Sequence, residues 1–275
     1  MAENVDVEKK SALGSGPRVL AKYGIKFIHI FGAIILFIIA WEAACQFNLV
    51  NNIIVISPSR ILEKGWELTL DGTLFKHMSI SLKRVILSFG SAVVVGLALG
   101  FVLGGFFKRV ETAINPLLQL ISQANPFTLL PLFIVLLGLG ELSKFTVMFL
   151  VCIWPVLFNT VTGIKNADPV LVKMGRSLGL SKFQIFYKIL IRDALPTIFT
   201  GIRMSVVFAF FMLIGAEMLG ASSGLGYMIH HAQAVFLMPE MWVGIVTVAL
   251  LGVIANLIIS FIERKVTGRK EEIVV

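Results

Sequence analysis

The sequence predicts an all-α protein that crosses a membrane several times. Hydrophobic residues make up 57% of its 275 positions and charged residues only 15%, whereas about 25% of the residues of a typical soluble domain are charged. The mean hydropathy is +0.91. The apolar residues also fall into six segments, each near the ~20 residues that a helix needs to cross ~30 Å of hydrocarbon. Together these observations predict a polytopic membrane protein with six transmembrane helices.

The predicted spans divide the chain into a membrane domain with a tail at each end. The spans are residues 27–44, 85–107, 116–139, 145–164, 196–219 and 241–262. The domain division is an N-terminal tail of residues 1–26, a six-span domain of residues 27–264 and a C-terminal tail of residues 265–275. Residues 48–81 look too polar to span. Within them Leu62, Trp66 and Leu70 recur at helical spacing, which predicts a helix lying along the membrane surface.

The second and third predicted spans contain residues that affect helix packing. Gly96, Gly100 and Gly104 are spaced by four, so they share one face of the second span and allow another helix to approach closely. The third span contains Asn125-Pro126 and Pro131, which interrupt the backbone hydrogen bonds. Such breaks persist only where protein or a water-lined cavity satisfies the freed groups.

Polar side chains in the spans are candidates for a translocation path, because polar groups are costly in lipid and usually face the bundle interior. For the polar side chains near the break, an equally good alternative is that they satisfy the backbone groups freed by the prolines. The candidates are Gln119, Ser122, Gln123, Asn125 and Thr128, with Arg203 and Glu217 in the fifth span. For Arg203 we favour snorkelling to the cytoplasmic surface over contact with an anionic substrate, and for Glu217 pairing with an outer-face cation over a gating role. Asn159 and Thr162 are weaker candidates.

The polar loop between the fourth and fifth spans predicts two short helices joined by a glycine. Asp168 followed by Pro169 is a strong helix start, since Asp accepts a bond from an unpaired N–H and Pro has none to lose. Gly179 stands where a left-handed residue would end this helix. Ser181 with Gln184 forms a capping box that starts the next helix.

This loop, residues 165–195, combines positive charge with apolar side chains. Composition alone favours a solvated linker, and the alternative is a docking surface for a partner. Its cations are Lys165, Lys173, Arg176, Lys182, Lys188 and Arg192.

The loop resembles the cytoplasmic coupling loop of binding-protein-dependent ABC importer permeases. Their signature is Glu-Ala-Ala, three residues, Gly, nine residues and Ile-x-Leu-Pro, and Gly179 and Ile189 stand at the right spacing. Lys173-Met174-Gly175 replace Glu-Ala-Ala, and Ile191-Arg192 replace Leu-Pro. Other segments resemble the nitrate, taurine and aliphatic-sulfonate permeases: LPLFIVLLGLGELSK (130–144), GRSLG (175–179), ALPTIFTGIR (194–203) and AEMLGASSGLGYMI (216–229).

The resemblance implies the type I ABC importer permease fold in a bacterial inner membrane. It implies a second copy of this chain as a homodimer partner, two cytoplasmic ATPase subunits that hold ATP and Mg, and an extracytoplasmic substrate-binding protein. The cargo would be a small solute such as a sulfonate, taurine or nitrate, although similar permeases carry vitamin precursors. The residues implied in ATPase coupling are Asp168, Pro169, Lys173, Met174, Gly175, Arg176, Ser177, Leu178, Gly179 and Ser181.

The distribution of cations indicates that both termini are cytoplasmic. With that orientation seventeen cations lie inside and six outside, in agreement with the positive-inside rule. The chain also lacks the G-x-x-x-x-G-K-[ST] motif of a phosphate-binding loop. We therefore expect no enzyme activity, metal or cofactor on this chain.

Two other classes of protein are alternatives. A lipid-modifying membrane enzyme would cluster Asp or His at one membrane face, but the chain has four His, of which only His230-His231 are adjacent. We expect this pair to be solvated. A stand-alone secondary transporter would show an inverted repeat and several intramembrane charges, and neither is seen. Cys45 and Cys152 are expected to be packing residues rather than a disulfide.

Overall fold

A computed structural model describes residues 32–268, and all the regular secondary structure in that range is helical. The described residues before Lys64 and those from Lys64 onward belong to separate compact units. The helices are α1 (Gly32–Gln46), α2 (Pro58–Leu70), α3 (Thr73–Phe101), α4 (Lys108–Ser122), α5 (Pro126–Leu137), α6 (Glu141–Lys165), α7 (Pro169–Ser177), α8 (Lys182–Ile185), α9 (Ile191–Gly220), α10 (Leu225–Ala234) and α11 (Met238–Thr267). Single π-helical segments, Val102–Phe106 and Phe186–Leu190, extend α3 and precede α9.

Four continuous helical segments within residues 32–268 are long and apolar enough to cross a membrane, and a bent pair of helices makes up to five. The first predicted span corresponds to α1, which is apolar but shorter, and residues 27–31 of that prediction lie outside the described residues. The fold class is thus confirmed, while six spans remain a prediction.

Two spans begin much earlier than the sequence predicted. The second starts at Thr73 rather than residue 85, so the polar residues 73–81 belong to α3 and not to a surface segment. Among its polar side chains Ser81 is buried and donates to Glu217 on α9, whereas Thr73 and Lys76 are exposed. The fifth starts at Lys182, because α8, the π segment and α9 are continuous. The second short helix of the polar loop is therefore continuous with the helix that contains the fifth predicted span.

The third predicted span is broken where the prolines indicated. Residues Arg109–Ser122 and Pro126–Leu137 meet at 85°. Asn125 is the N-cap of α5, and its side chain accepts a hydrogen bond from the Phe127 N–H at 3.0 Å. The interruption therefore turns the chain sharply between two helices.

The centre of the second unit is α6, which packs most extensively against α9 and α3. The glycine face of α3 makes this contact. A Cβ on Gly100 would lie 2.5 Å from Cβ of Thr160, and one on Gly96 would lie 3.0 Å from Val156. The prediction of a close-packed glycine face is confirmed, since any larger side chain would push α3 and α6 apart.

The exposure of three other groups of residues can be compared with the sequence-based expectations. In α2, Leu62, Trp66 and Leu70 are all exposed, and its position along a membrane surface stays a prediction. His230 and His231 lie exposed on α10. Cys45 and Cys152 are buried and free.

Candidate translocation cavity and coupling surface

A cavity of about 670 Å³ lies between α4, the start of α5, α6 and α9. Gln119, Ser122 and Gln123 line it from α4 and the break, and the weaker candidates Asn159 and Thr162 line it from α6. Much of the remaining lining is apolar and aromatic. It includes Trp154, Phe158, Phe208 and Phe211.

Not every candidate near the break reaches this cavity. Asn125 and Thr128 are exposed but are not among its lining residues. Asn125 caps α5, and the Ser122 hydroxyl donates to the Gln119 carbonyl at 2.8 Å. For Asn125 and Ser122 the geometry matches the alternative role, which is to satisfy backbone groups at the break.

An ion pair that the sequence analysis missed stands in the cavity lining. Glu111 in the first turn of α4 pairs with Lys165, the last residue of α6. Glu111 is buried, and a buried acid needs such a partner. Glu111 and Lys165 are the only charged residues in the lining, so its formal charge is balanced. The one sequence signal was an acid in an otherwise basic turn.

Arg203 and Glu217 are ion-paired and do not line this cavity. Arg203 pairs with Glu263 on α11 and is 38% exposed. Glu217 is fully buried, and a guanidinium nitrogen of Arg84 lies 2.6 Å from its carboxylate. Arg84 is thus the cation that the sequence analysis expected beside Glu217.

The local geometry of the coupling loop follows its sequence closely. Asp168 is the N-cap of α7 and accepts a hydrogen bond from the Val170 N–H at 2.7 Å. Gly179 has a φ of +73°, the left-handed conformation that glycine adopts without strain. Ser181 and Gln184 form the expected capping box. These three predictions are confirmed.

Helix α7 is buried at Gly175 and exposed along most of its length. Gly175 faces the protein, where an added Cβ would lie 2.7 Å from Cδ1 of Ile189. Val170, Met174 and Leu178 are 61%, 56% and 76% exposed. Met174 and Leu178 line a surface groove together with Gly175. Lys173, Arg176, Ser177 and the N-cap Asp168 are exposed as well. The helix is therefore held at Gly175, and the apolar and basic side chains around that contact are exposed.

The loop is also tied to the helix that follows it. The Asp168 N–H donates to the Asp193 carboxylate at 2.9 Å, and Asp193 lies in the first turn of α9. At the π segments, the rings of Phe106 and Phe186 are 4.8 Å apart. The hydrogen bond ties the start of α7 to α9, and the ring contact packs the two π segments against each other. Within residues 32–268, no group of three His, Cys, Asp or Glu could hold a metal ion.

Comparison with known proteins gives a consistent result. Residues 96–268 match the family model described as the binding-protein-dependent transport system inner membrane component. The aliphatic sulfonates transport permease protein SsuC of Bacillus subtilis is 34% identical over 82% of this chain and 81% of its own length. The nitrate import permease protein NrtB of Synechocystis is 31% identical over 91% and 93%. The taurine transport system permease protein TauC of Escherichia coli is 27% identical over 86% and 87%.

Solved structures of similar fold are membrane transporters too. A chain of the inward-facing MetNI methionine ABC transporter aligns with a TM-score of 0.51 and 17% identity, over 68% of this chain and 96% of that chain. A chain of an amino acid ABC transporter crystallised with histidines aligns with a TM-score of 0.57 and 15% identity, over 74% and 96%. At these identities the likeness concerns the fold.

Proposed function

Because the chain belongs to the family of inner membrane components of binding-protein-dependent transport systems, we propose that two copies of it form a translocation path for a small solute. It is a permease subunit of an ATP-driven importer and not an enzyme, since separate ATPase subunits hydrolyse ATP in these systems. The described residues of a single chain line the cavity from α4, α5, α6, α9 and the π segment Val102–Phe106. A second copy would complete the wall.

The observation that carries this proposal is the outward face of α7. Exposed apolar groups are costly in water unless a partner covers them, and here they alternate with Lys173 and Arg176 on a helix that contacts the rest of the chain at Gly175. We propose that this face, from Asp168 to Ser181, seats in a groove of a cytoplasmic ATPase subunit. ATP and Mg bind on that subunit. Closure of the ATPase pair would move α7 and switch the path between inward-open and outward-open states.

The cargo we propose is a small anion or zwitterion such as a sulfonate, taurine or nitrate. The names of SsuC, TauC and NrtB support this class. The one cation among the described lining residues, Lys165, is paired with Glu111, so the cavity offers no unpaired positive charge that would hold an anion tightly. A substrate-binding protein outside the membrane would then make the selection.

The orientation we propose places both termini and α7 in the cytoplasm of a bacterial cell, with the chain in the inner membrane. The excess of cations on that side supports it. We propose the homodimer because the chain contains a single copy of the permease module. The lipid-enzyme alternative is not favoured, since the family is a transporter component.

The experiment is to reconstitute the chain in lipid with its ATPase subunit and loaded binding protein. Lys173→Glu combined with Arg176→Glu should abolish assembly or uncouple hydrolysis from uptake, and Gly179→Pro should do the same. Arg264→Glu combined with Lys265→Glu is the matched control, because it reverses two exposed charges on the last turn of α11. Coupling that survives in the α7 variants, or an ATPase that does not assemble with the wild-type chain, would refute the proposal.

A further inference from the structure

The start of α10 is capped by side chains from other helices. The first N–H groups of an α-helix have no partner within the helix. Here three consecutive N–H groups donate to side chains of α3 and α9: Gly224 to Nδ1 of His77 at 3.0 Å, Leu225 to Oγ of Ser81 at 2.8 Å and Gly226 to Oε2 of Glu217 at 2.8 Å. The helix is therefore fixed to the bundle through its own backbone.

The space around Glu217 allows only glycine at two of these positions. A Cβ on Gly224 would lie 2.4 Å from the Glu217 carboxylate, and one on Gly226 would lie 2.7 Å from Cβ of Glu217. Gly224 also has a φ of +120°. The close approach puts a carboxylate at the N-terminus of α10, where the helix dipole favours negative charge.

Arg84 joins this cap to a further helix. Its Nη1 donates to Glu217 at 2.6 Å and to the Ser223 carbonyl at 2.7 Å. Its Nε and Nη2 form a bidentate pair with Glu141 in the first turn of α6, both at 2.7 Å. Lys144 also pairs with Glu141, so two acids and two cations balance. A planar guanidinium can bridge two carboxylates in this way, and the ammonium group of a lysine cannot.

The other end of α6 lies at the coupling loop. Its 25 residues give a helix ~37 Å long at ~1.5 Å per residue. At that end Lys165 pairs with Glu111 in the cavity lining, and Asp168 then begins α7. One packed helix thus runs from the α10 cap, past the cavity, to the start of the coupling surface.

We infer that Arg84 is a positioning residue that ties α10 to α6, so that a load placed on α10 by the substrate-binding protein reaches α7. This inference rests on the proposed function. Because α10 lies between the long helices α9 and α11, at the far end of α9 from α7, the proposed orientation makes it an outer-face element that the binding protein can meet. The Arg84–Glu141 pair would then carry the displacement into α6.

Glu141→Gln is the sharpest test of this link. Glu141 is largely exposed, and its replacement leaves the buried Arg84–Glu217 pair and the α10 cap in place. We expect basal ATPase activity within about twofold of wild type and a loss of about tenfold in stimulation by loaded binding protein, in the range of ordinary allosteric coupling. Arg84→Lys should act in the same direction. Lys83→Gln, which removes the neighbouring exposed cation, should keep full stimulation.

A second measurement needs no partner. Amide hydrogen exchange of the chain in lipid nanodiscs should be faster at residues 224–226 in Ser81→Ala and unchanged there in Glu141→Gln. Unchanged exchange in Ser81→Ala would overturn the cap, and full stimulation in Glu141→Gln would overturn the link to α6. A wild-type assembly that binding protein does not stimulate would refute the proposed function instead, and the exchange result would still decide on the cap.

Discussion

At the scale of single residues, glycines control how closely the helices approach one another. Gly100 and Gly90 lie on the same helix, α3, yet their surroundings differ completely. A Cβ on Gly100 would meet Thr160 at 2.5 Å, whereas one on Gly90 would meet nothing within 4 Å. The same substitution should therefore have opposite effects at the two positions.

We predict that Gly100→Ala destabilises the chain by about 1–3 kcal/mol, the usual cost of overpacking. Gly90→Ala should be neutral or stabilise it by up to ~1 kcal/mol, through the better helix propensity of alanine. Thermal unfolding of the two variants in the same detergent measures both effects. Equal melting temperatures for the two variants would contradict the packing of α3 on α6.

The Arg203–Glu263 pair gives a second prediction at this scale. Glu263 is buried, whereas Arg203 is 38% exposed. Arg203→Gln should therefore cost about 3 kcal/mol, because it leaves a buried carboxylate unpaired, and Glu263→Gln should cost less. The double variant should be less destabilised than the sum of the two by ~1 kcal/mol or more. A double-mutant cycle of unfolding free energies tests this, and strict additivity would argue against the pair.

At the scale of elements, the position of α7 depends on its contact with the segment before α9. Gly175 faces Ile189 and Ile185, and the atom closest to an added Cβ is Cδ1 of Ile189, at the end of a flexible side chain. Alanine can therefore fit after a small movement of Ile189. A larger side chain cannot.

We predict that Gly175→Leu loosens α7 while Gly175→Ala does not. Cleavage of the loop by limited proteolysis should be about tenfold faster in Gly175→Leu, which corresponds to an overpacking cost of roughly 1.4 kcal/mol. Gly175→Ala should be cleaved at the wild-type rate. Equal cleavage of both variants would show that the packed face of α7 does not hold it.

At the scale of the whole molecule, the orientation in the membrane has a direct test. Ser177 on α7 and Ser222 in the loop before α10 are both exposed, and the proposed topology places them on opposite sides. The native Cys45 and Cys152 are buried, so they should react slowly. Ser222→Cys should react with an impermeant maleimide in intact cells, and Ser177→Cys only after the membrane is opened. The reverse pattern would invert the topology.

Much of this architecture could be predicted because its causes are local. Hydropathy indicated the spans, and the caps at Asp168 and Ser181 depend on residues only two or three positions away. Gly179 similarly needs only its own backbone freedom. Signals of this kind act within one turn of helix, and a single sequence displays them directly.

Tertiary structure alone decided which charged groups meet and where two spans begin. Ser81 and Glu217 are 136 residues apart in the chain, and Arg84 and Glu141 are 57 apart. The pairing of Glu111 with Lys165 likewise depends on how α4 lies beside α6. Residues 73–81 looked too polar to belong to the helix of the second span, because hydropathy counts a buried side chain such as Ser81 as if it faced lipid. Burial against partners on other helices removes that cost, and packing determines which residues are buried.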